Sequence, residues 1–305
     1  MSTAGARAAK GGTSRLGRET LVAAAFLAPS FLIFALFKYY PLLYNFYLSL
    51  TSWNFFSPVK KFVGLMNYKA IFVSPQFWQV LGQTLFFTVW SSLLSLVLGF
   101  ALAAALYRRR GPLGTALKTL FFIPNITTAS AVALLWIWIF DPEGGLAGQI
   151  FTLLGRESPR WLLTPEYAMW IVISLSVWRS LGYVMLIYHS GMSGISGEIY
   201  DAASIDGANR RQQLFRITIP LLRPTTFFLI LTSFISAMQV FDIVSVMTGG
   251  GPYGTTMVMN LYIYQTAFVK AKAGYASALS AILFALVLSV TVLQRKLSSK
   301  WADNE

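Results

Sequence analysis

Glu198-Ile199-Tyr200-Asp201-Ala202-Ala203-Ser204-Ile205-Asp206-Gly207-Ala208, running on to Ile217-Thr218-Ile219-Pro220, is a charged, small-residue stretch in an otherwise apolar chain. Its composition reads as two short helices that meet at Gly207, where the backbone needs freedom that a Cβ denies. Asp206 is then placed as the N-cap of the second helix, its carboxylate accepting backbone N–H groups from the turn that begins at Ala208. Pro220 and Pro224 are expected to close that helix. Ala202 and Ala203 add no bulk, so a second protein can come close to the backbone, and Asp201 offers a carboxylate to an arginine on such a partner. Taken singly, each feature has an ordinary reading as a solvated acid, a pair of helix formers or a turn glycine.

The setting of the stretch is a membrane protein. Of 305 residues, 56% are apolar, 15% are aromatic and only 11% are charged, against roughly 25% charged in soluble domains. Cysteine is absent and histidine occurs once, which leaves no basis for a disulfide framework, a thiolate metal site or a His/Cys catalytic pair. His189 reads as an interfacial polar residue.

Apolar runs long enough to cross a hydrocarbon core of roughly 30 Å cover about 21–47, 84–106, 120–140, 168–188, 225–246 and 275–294. This makes an all-α chain of six transmembrane helices, with residues 20–297 as one membrane domain, in contact with lipid, and 198–220 as the loop between the fourth and fifth spans. Residues 1–19 and 298–305 lack periodicity and read as mobile tails. The Arg-bearing start followed by an apolar run has the look of a secretory signal, but Tyr39-Tyr40-Pro41 replaces a small-residue cleavage site, so an uncleaved first span is expected.

The net charge of +13 raises the question of nucleic acid, and the positions of the basic residues answer it. Both tails and the second–third and fourth–fifth loops hold fifteen Lys and Arg, against eight in the other loops. By the positive-inside rule both termini and the 198–220 loop are expected in the cytoplasm, and the basic excess is a topology signal and not a nucleic-acid footprint. The first outer loop, about 41–77, carries aromatics suited to an interface. Pro124 is expected to kink the third span, and Gly249-Gly250-Gly251-Pro252 to stop the fifth outright.

The acid-Ala-Ala pattern of Asp201, Ala202 and Ala203, with Gly207, Ile217 and Pro220 at fixed spacing, resembles the coupling loop of bacterial ABC-importer permeases. Further echoes of the maltose and glycerol-phosphate type of carbohydrate permease are Phe62-Val63-Gly64-Leu65 with Asn67-Tyr68, Leu135-Trp136-Ile137-Trp138, and Thr248-Gly249-Gly250-Gly251-Pro252. Asp201 stands where Glu is usual, Ile219 where Leu is, and Ser196 where proline is common. The resemblance implies a coupling role for Asp201, Ala202, Ala203, Asp206, Gly207, Ile217 and Pro220. It also implies a homodimeric cytoplasmic ATPase that binds ATP and Mg, a second related permease subunit and an extracytoplasmic solute-binding protein. The chain itself has no G-x-x-x-x-G-K-[ST] run to cradle phosphates and is expected to bind no cofactor and catalyse nothing. Import of a sugar, oligosaccharide or glycerol-phosphate-type solute into a bacterial cell by alternating access follows from the same likeness.

Polar groups inside spans are costly and face a bundle interior or a cavity. Arg179 is the clearest, and either an ion pair with Asp242 or a solute-facing role accounts for it. Ser233, Ser236, Gln239 and Asp242 recur at three-residue steps and are expected along one helix face. The likeness to maltose-type permeases places Arg179, Ser180, Tyr183, Ser233, Ser236, Ala237 and Val240 on a solute cavity, joined by Asp242. A carrier driven by an ion gradient, with Arg179 and Asp242 as a charge relay, is the competing function; an intramembrane enzyme finds little support in the residue inventory.

Overall fold

A computed structural model describes residues 12–107, 109 and 111–302. Arg7, Lys10, Arg108 and Arg110 of the charge count lie outside these, as do residues 1–11 and 303–305 of the two tails. Among the described residues the regular structure is helical, with one isolated bridge between Thr51 and Phe62.

The chain begins with α1 (Gly12–Phe34), which runs through a π-helical turn (Ala35–Tyr39) into α2 (Tyr40–Ser49). Residues 12–19, expected as an aperiodic tail, are therefore helical. The wide turn falls directly before Pro41, whose ring displaces an ordinary α-helical hydrogen bond. Residues 22–41 are all exposed, so α1 from Val22 onward stands clear of the rest of the chain. After α3 (Met66–Val73) comes α4 (Pro75–Tyr107), the longest helix.

The third predicted span is not one kinked helix. It is α5 (Pro112–Ile126) and α6 (Ala129–Ile139), bent by 101°. Pro124 is buried one turn before the break, and Thr127 and Thr128 are extended, with ψ of 145° and 129°. The Thr127 hydroxyl donates to the Ile123 carbonyl (2.9 Å), which would otherwise be orphaned where the helix stops. Next are α7 (Leu146–Leu153), α8 (Pro165–Ser193) and α9 (Gly197–Ile205). A second bent pair consists of α10 (Arg210–Gln213), a π-helical turn (Leu214–Thr218) and α11 (Ile219–Leu221), set at 64° to α12 (Arg223–Met238).

The fifth span also departs from expectation. The run 225–246 breaks at Gln239–Phe241, and α13 (Asp242–Met247) resumes after it. No Gly or Pro marks this break; the freed Gln239 carbonyl accepts from Asn260 Nδ2 (2.7 Å), a contact from far along the sequence. Then come α14 (Met259–Tyr264), a π-helical turn (Gln265–Val269) and α15 (Ala273–Ala302), which absorbs residues 298–302 of the expected tail. Among the described residues four helices are long and apolar enough to cross a membrane, and counting each of the two bent pairs as one span raises the number to six.

Small residues allow the central helices to close. At Gly99 on α4 an added Cβ would lie 2.5 Å from a Val184 methyl on α8, and at Gly182 it would lie 2.1 Å from the Phe121 carbonyl oxygen on α5. Ser95 and Ser180 join α4 to α8 through their hydroxyls (2.6 Å). At the opposite end from α9, Asn67 Nδ2 donates to the carbonyls of Ser49 (2.8 Å) and Thr51 (2.9 Å), and the Tyr68 hydroxyl meets Ser49 Oγ (2.7 Å). The Asn67-Tyr68 pair thus anchors the first loop onto the end of α2.

Gly182→Ala places its methyl against rigid backbone, and overpacking of this kind costs roughly 1–3 kcal/mol. The expected result is a lower thermal unfolding midpoint of the detergent-solubilised protein. Gly197→Ala, which meets nothing within 4 Å, is expected to melt with the wild type.

Candidate functional site: a capped helix pair below a polar cavity

The 198–220 stretch is a compact plug, a pair of short helices whose ends are capped by neighbouring side chains and turns. Ser196 caps α9 through its hydroxyl, which accepts from the Glu198 N–H (3.3 Å). At the other end Asp206 closes α9, and Gly207 takes the left-handed conformation with φ of +81°. The Ala208 N–H then reaches the Ala203 carbonyl (2.8 Å) and the Gly207 N–H the Ser204 carbonyl (3.1 Å), the paired bonds of a Schellman ending.

The expected N-cap at Asp206 is therefore corrected. Asn209 caps α10, accepting from the Gln212 N–H (2.9 Å), while the Gln212 side chain accepts from the Asn209 N–H (2.8 Å). This reciprocal box needs a residue with extended backbone, and Asn209 has ψ of 167°, whereas Asp206 still belongs to the turn of α9. Pro220 does not close the helix, whereas Pro224 follows the break at Leu222 where the helix ends, as expected. Pro220 lies in the first turn of α11, directly after the π-helical turn, and Pro224 lies in the first turn of α12, where its missing N–H costs nothing.

Two further contacts hold the helices together. Tyr200 OH meets Thr218 Oγ1 (3.0 Å), and buried Gln213 donates to Ser204 Oγ (2.9 Å) and to the Ala208 carbonyl (3.3 Å). Asp201, Ala202, Asp206 and Gly207 are exposed, while Ala203, Ile217 and Pro220 are half-buried. Ile205 is 87% exposed beside them, an apolar side chain that the sequence reading passed over.

Above the plug lies an open cavity of about 520 Å³. Arg179, Ser180, Tyr183, Ser233, Ser236, Ala237, Val240 and Asp242 all line it, contributed by α8, α12, the break and α13. The helix break at Gln239–Phe241 replaces the continuous helix face expected for Ser233, Ser236, Gln239 and Asp242, yet all four border the same space. Sequence reasoning missed Ser91, Ser92 and Ser95 of α4, Asn125 of α5, Ser176 of α8 and Thr232 of α12. The signal for the first three was present, since serines at i, i+1 and i+4 mark one side of an apolar helix.

Of the two roles open to Arg179, the ion pair with Asp242 is not formed. Arg179 Nη2 donates to the Thr127 carbonyl (3.1 Å) exposed by the α5–α6 break, and its Nε is buried without a hydrogen-bond partner. Asp242 shares the cavity wall without ion-pairing contact to it. His189 sits nearer the plug, with Lys118 Nζ 2.6 Å from its Nε2. An ammonium can only donate, so Nε2 accepts and Nδ1 carries the ring proton.

Residues 95–303 match the protein family described as "Binding-protein-dependent transport system inner membrane component". The probable ABC transporter permease protein YurN of Bacillus subtilis is 34% identical over 287 residues, covering 92% of this chain and 97% of that protein. The sulfoquinovosyl glycerol transport system permease protein SmoG of Agrobacterium fabrum is 32% identical over 279 residues, covering 90% and 89%. The crystal structure of a bacterial ABC transporter involved in the import of the acidic polysaccharide alginate includes a chain with the same fold, with a TM-score of 0.83 at 23% identity over 94% of this chain and 98% of that one.

This chain belongs to the binding-protein-dependent inner membrane component family. It is a multi-pass permease subunit of an ATP-driven importer, and the gradient-driven carrier is set aside.

Replacing Asn209 by Ala removes a reciprocal cap and is expected to destabilise α10 by roughly 0.5–2 kcal/mol. Hydrogen–deuterium exchange of residues 210–213 should quicken accordingly. Asp206→Ala leaves the cap in place and is expected to leave that exchange unchanged.

Proposed function

We propose that this chain supplies half the wall of a pathway for a sugar, oligosaccharide or glycerol-phosphate-type solute, with 198–220 transmitting the stroke of a separate ATPase. The observation that carries this reading is the position of the cavity between the two helices that flank the plug. α8 leads into α9 and α12 follows α11, so displacing the plug displaces two cavity walls. The cavity offers many hydroxyls and one phenol, Tyr183, which suit a polyhydroxylated solute. SmoG is named for sulfoquinovosyl glycerol transport, which is consistent with the carbohydrate class.

In this reading both termini and the plug lie in the cytoplasm. A homodimeric ATPase holds ATP and Mg, a second related permease completes the cavity, and a solute-binding protein delivers from outside. This chain contributes no catalytic group and binds neither cofactor nor nucleic acid. Asp201 and Ala202, exposed on α9, face the ATPase, and Gly207 holds the turn between the two short helices.

Uptake into proteoliposomes that contain the assembled complex and ATP tests the coupling role. Asp201→Arg and Gly207→Arg are each expected to abolish uptake while the chain remains in the membrane; normal transport by both would sink the reading.

The Arg179 guanidinium on the cavity wall sets the expected charge preference. A hydrogen bond to a charged group is worth roughly 1.5–3 kcal/mol, so Arg179→Met should weaken uptake of sn-glycerol 3-phosphate by roughly tenfold to a hundredfold and that of neutral maltose much less. Equal losses for both solutes would assign Arg179 to holding Thr127 alone.

A further inference from the structure

Five aromatic rings stand in an unbroken file from the first loop to the cavity. Trp53 meets Phe55 edge-on at 5.1 Å between centroids, and Phe55 stacks on Phe268 at 5.6 Å with 11° between the planes. Phe268 meets Tyr264 at 5.2 Å, and Tyr264 meets Phe241, also at 5.2 Å. Phe241 is part of the cavity wall.

The rings come from three separate segments: the loop after α2, the stretch from α14 into its π-helical turn, and the break before α13. The two loops involved join the first to the second span and the fifth to the sixth, so both lie on the face opposite the plug. Rings that pack edge to edge inside a core are buried, but Phe55 and Tyr264 are each 45% exposed and Phe268 is 64% exposed. The far end of the file is polar: Lys60 Nζ lies 4.9 Å from the Trp53 ring centroid and donates to the Tyr44 hydroxyl. At the near end Gln239 and Asp242 border the cavity beside Phe241.

We propose that this file is a saccharide track, a succession of weak stacking sites that leads solute from the face opposite the plug into the cavity; it rests on the carbohydrate reading above. The C–H face of a sugar ring packs on an aromatic face while its hydroxyls stay hydrated or reach polar neighbours. Rings within contact distance of each other let a solute pass from one to the next without full release, and several weak sites in series favour passage over retention. An interfacial aromatic belt gathers at one depth of the membrane. This file instead runs from a loop to the rim of a cavity.

The test uses the assembled transporter with its ATPase and binding protein in proteoliposomes loaded with ATP, with radiolabelled glucose, maltose and trehalose as probes. If no sugar is taken up while ATP is hydrolysed, the carbohydrate reading fails and the track fails with it. Where a sugar is carried, Phe268→Leu and Tyr264→Leu keep an apolar side chain but remove the ring. Each should raise the half-saturating sugar concentration by roughly threefold to tenfold, whereas Phe268→Tyr and Tyr264→Phe should hold it within about twofold. Co-purification of the other subunits with each variant reports folding and assembly. Leucine variants that transport like the wild type overturn the track and leave the carbohydrate reading intact. Equal losses in the leucine and the ring-for-ring variants assign the rings to packing and overturn it as well.

Discussion

The contact between the Arg179 guanidinium and the Thr127 carbonyl expresses the constraint under which the whole cavity is built. In a hydrocarbon surround, a backbone polar group without a partner costs several kcal/mol, so a broken helix survives only where side chains take up what the break releases. Here two breaks meet one space. Arg179 takes the carbonyl freed between α5 and α6, and Asn260 takes the one freed at Gln239 between α12 and α13. The backbone can then leave the helical path, and the room so opened is lined by polar groups.

Glycines and serines set the frame around those breaks. Gly182 brings α8 under the carbonyl of Phe121, Gly99 admits Val184, and the Ser95–Ser180 bond joins α4 to α8. These contacts have little give, because the atoms that meet at Gly182 are backbone. Movement in this subunit is better accommodated at Thr127–Thr128 and Gln239–Phe241, where the helices are already interrupted.

Hydropathy made the membrane class legible, because runs of twenty apolar residues have few other uses. The cavity residues were legible in so far as charge and hydroxyls stand out against an oily background, as Arg179, Ser233 and Asp242 do. What escaped was decided by tertiary contact. No glycine or proline announces the break at Gln239, and Asn260, which takes up its freed carbonyl, lies in another helix. Asp206 and Asn209 are both good capping residues by type. Only the positive φ at Gly207 and the Schellman bonds that follow it push the start of the next helix three residues on. The bare first helix had no signal at all, since an apolar run reads the same whether it meets lipid, its own chain or a neighbour.

The plug between α8 and α12 carries its own caps at Ser196, Gly207 and Asn209, with the Tyr200–Thr218 and Gln213–Ser204 bonds across its middle. A segment that is ordered before it meets anything surrenders little conformational entropy on association. In the proposed coupling role its encounter with the ATPase is rigid-body docking, and force applied to it passes to the flanking helices instead of being absorbed by refolding.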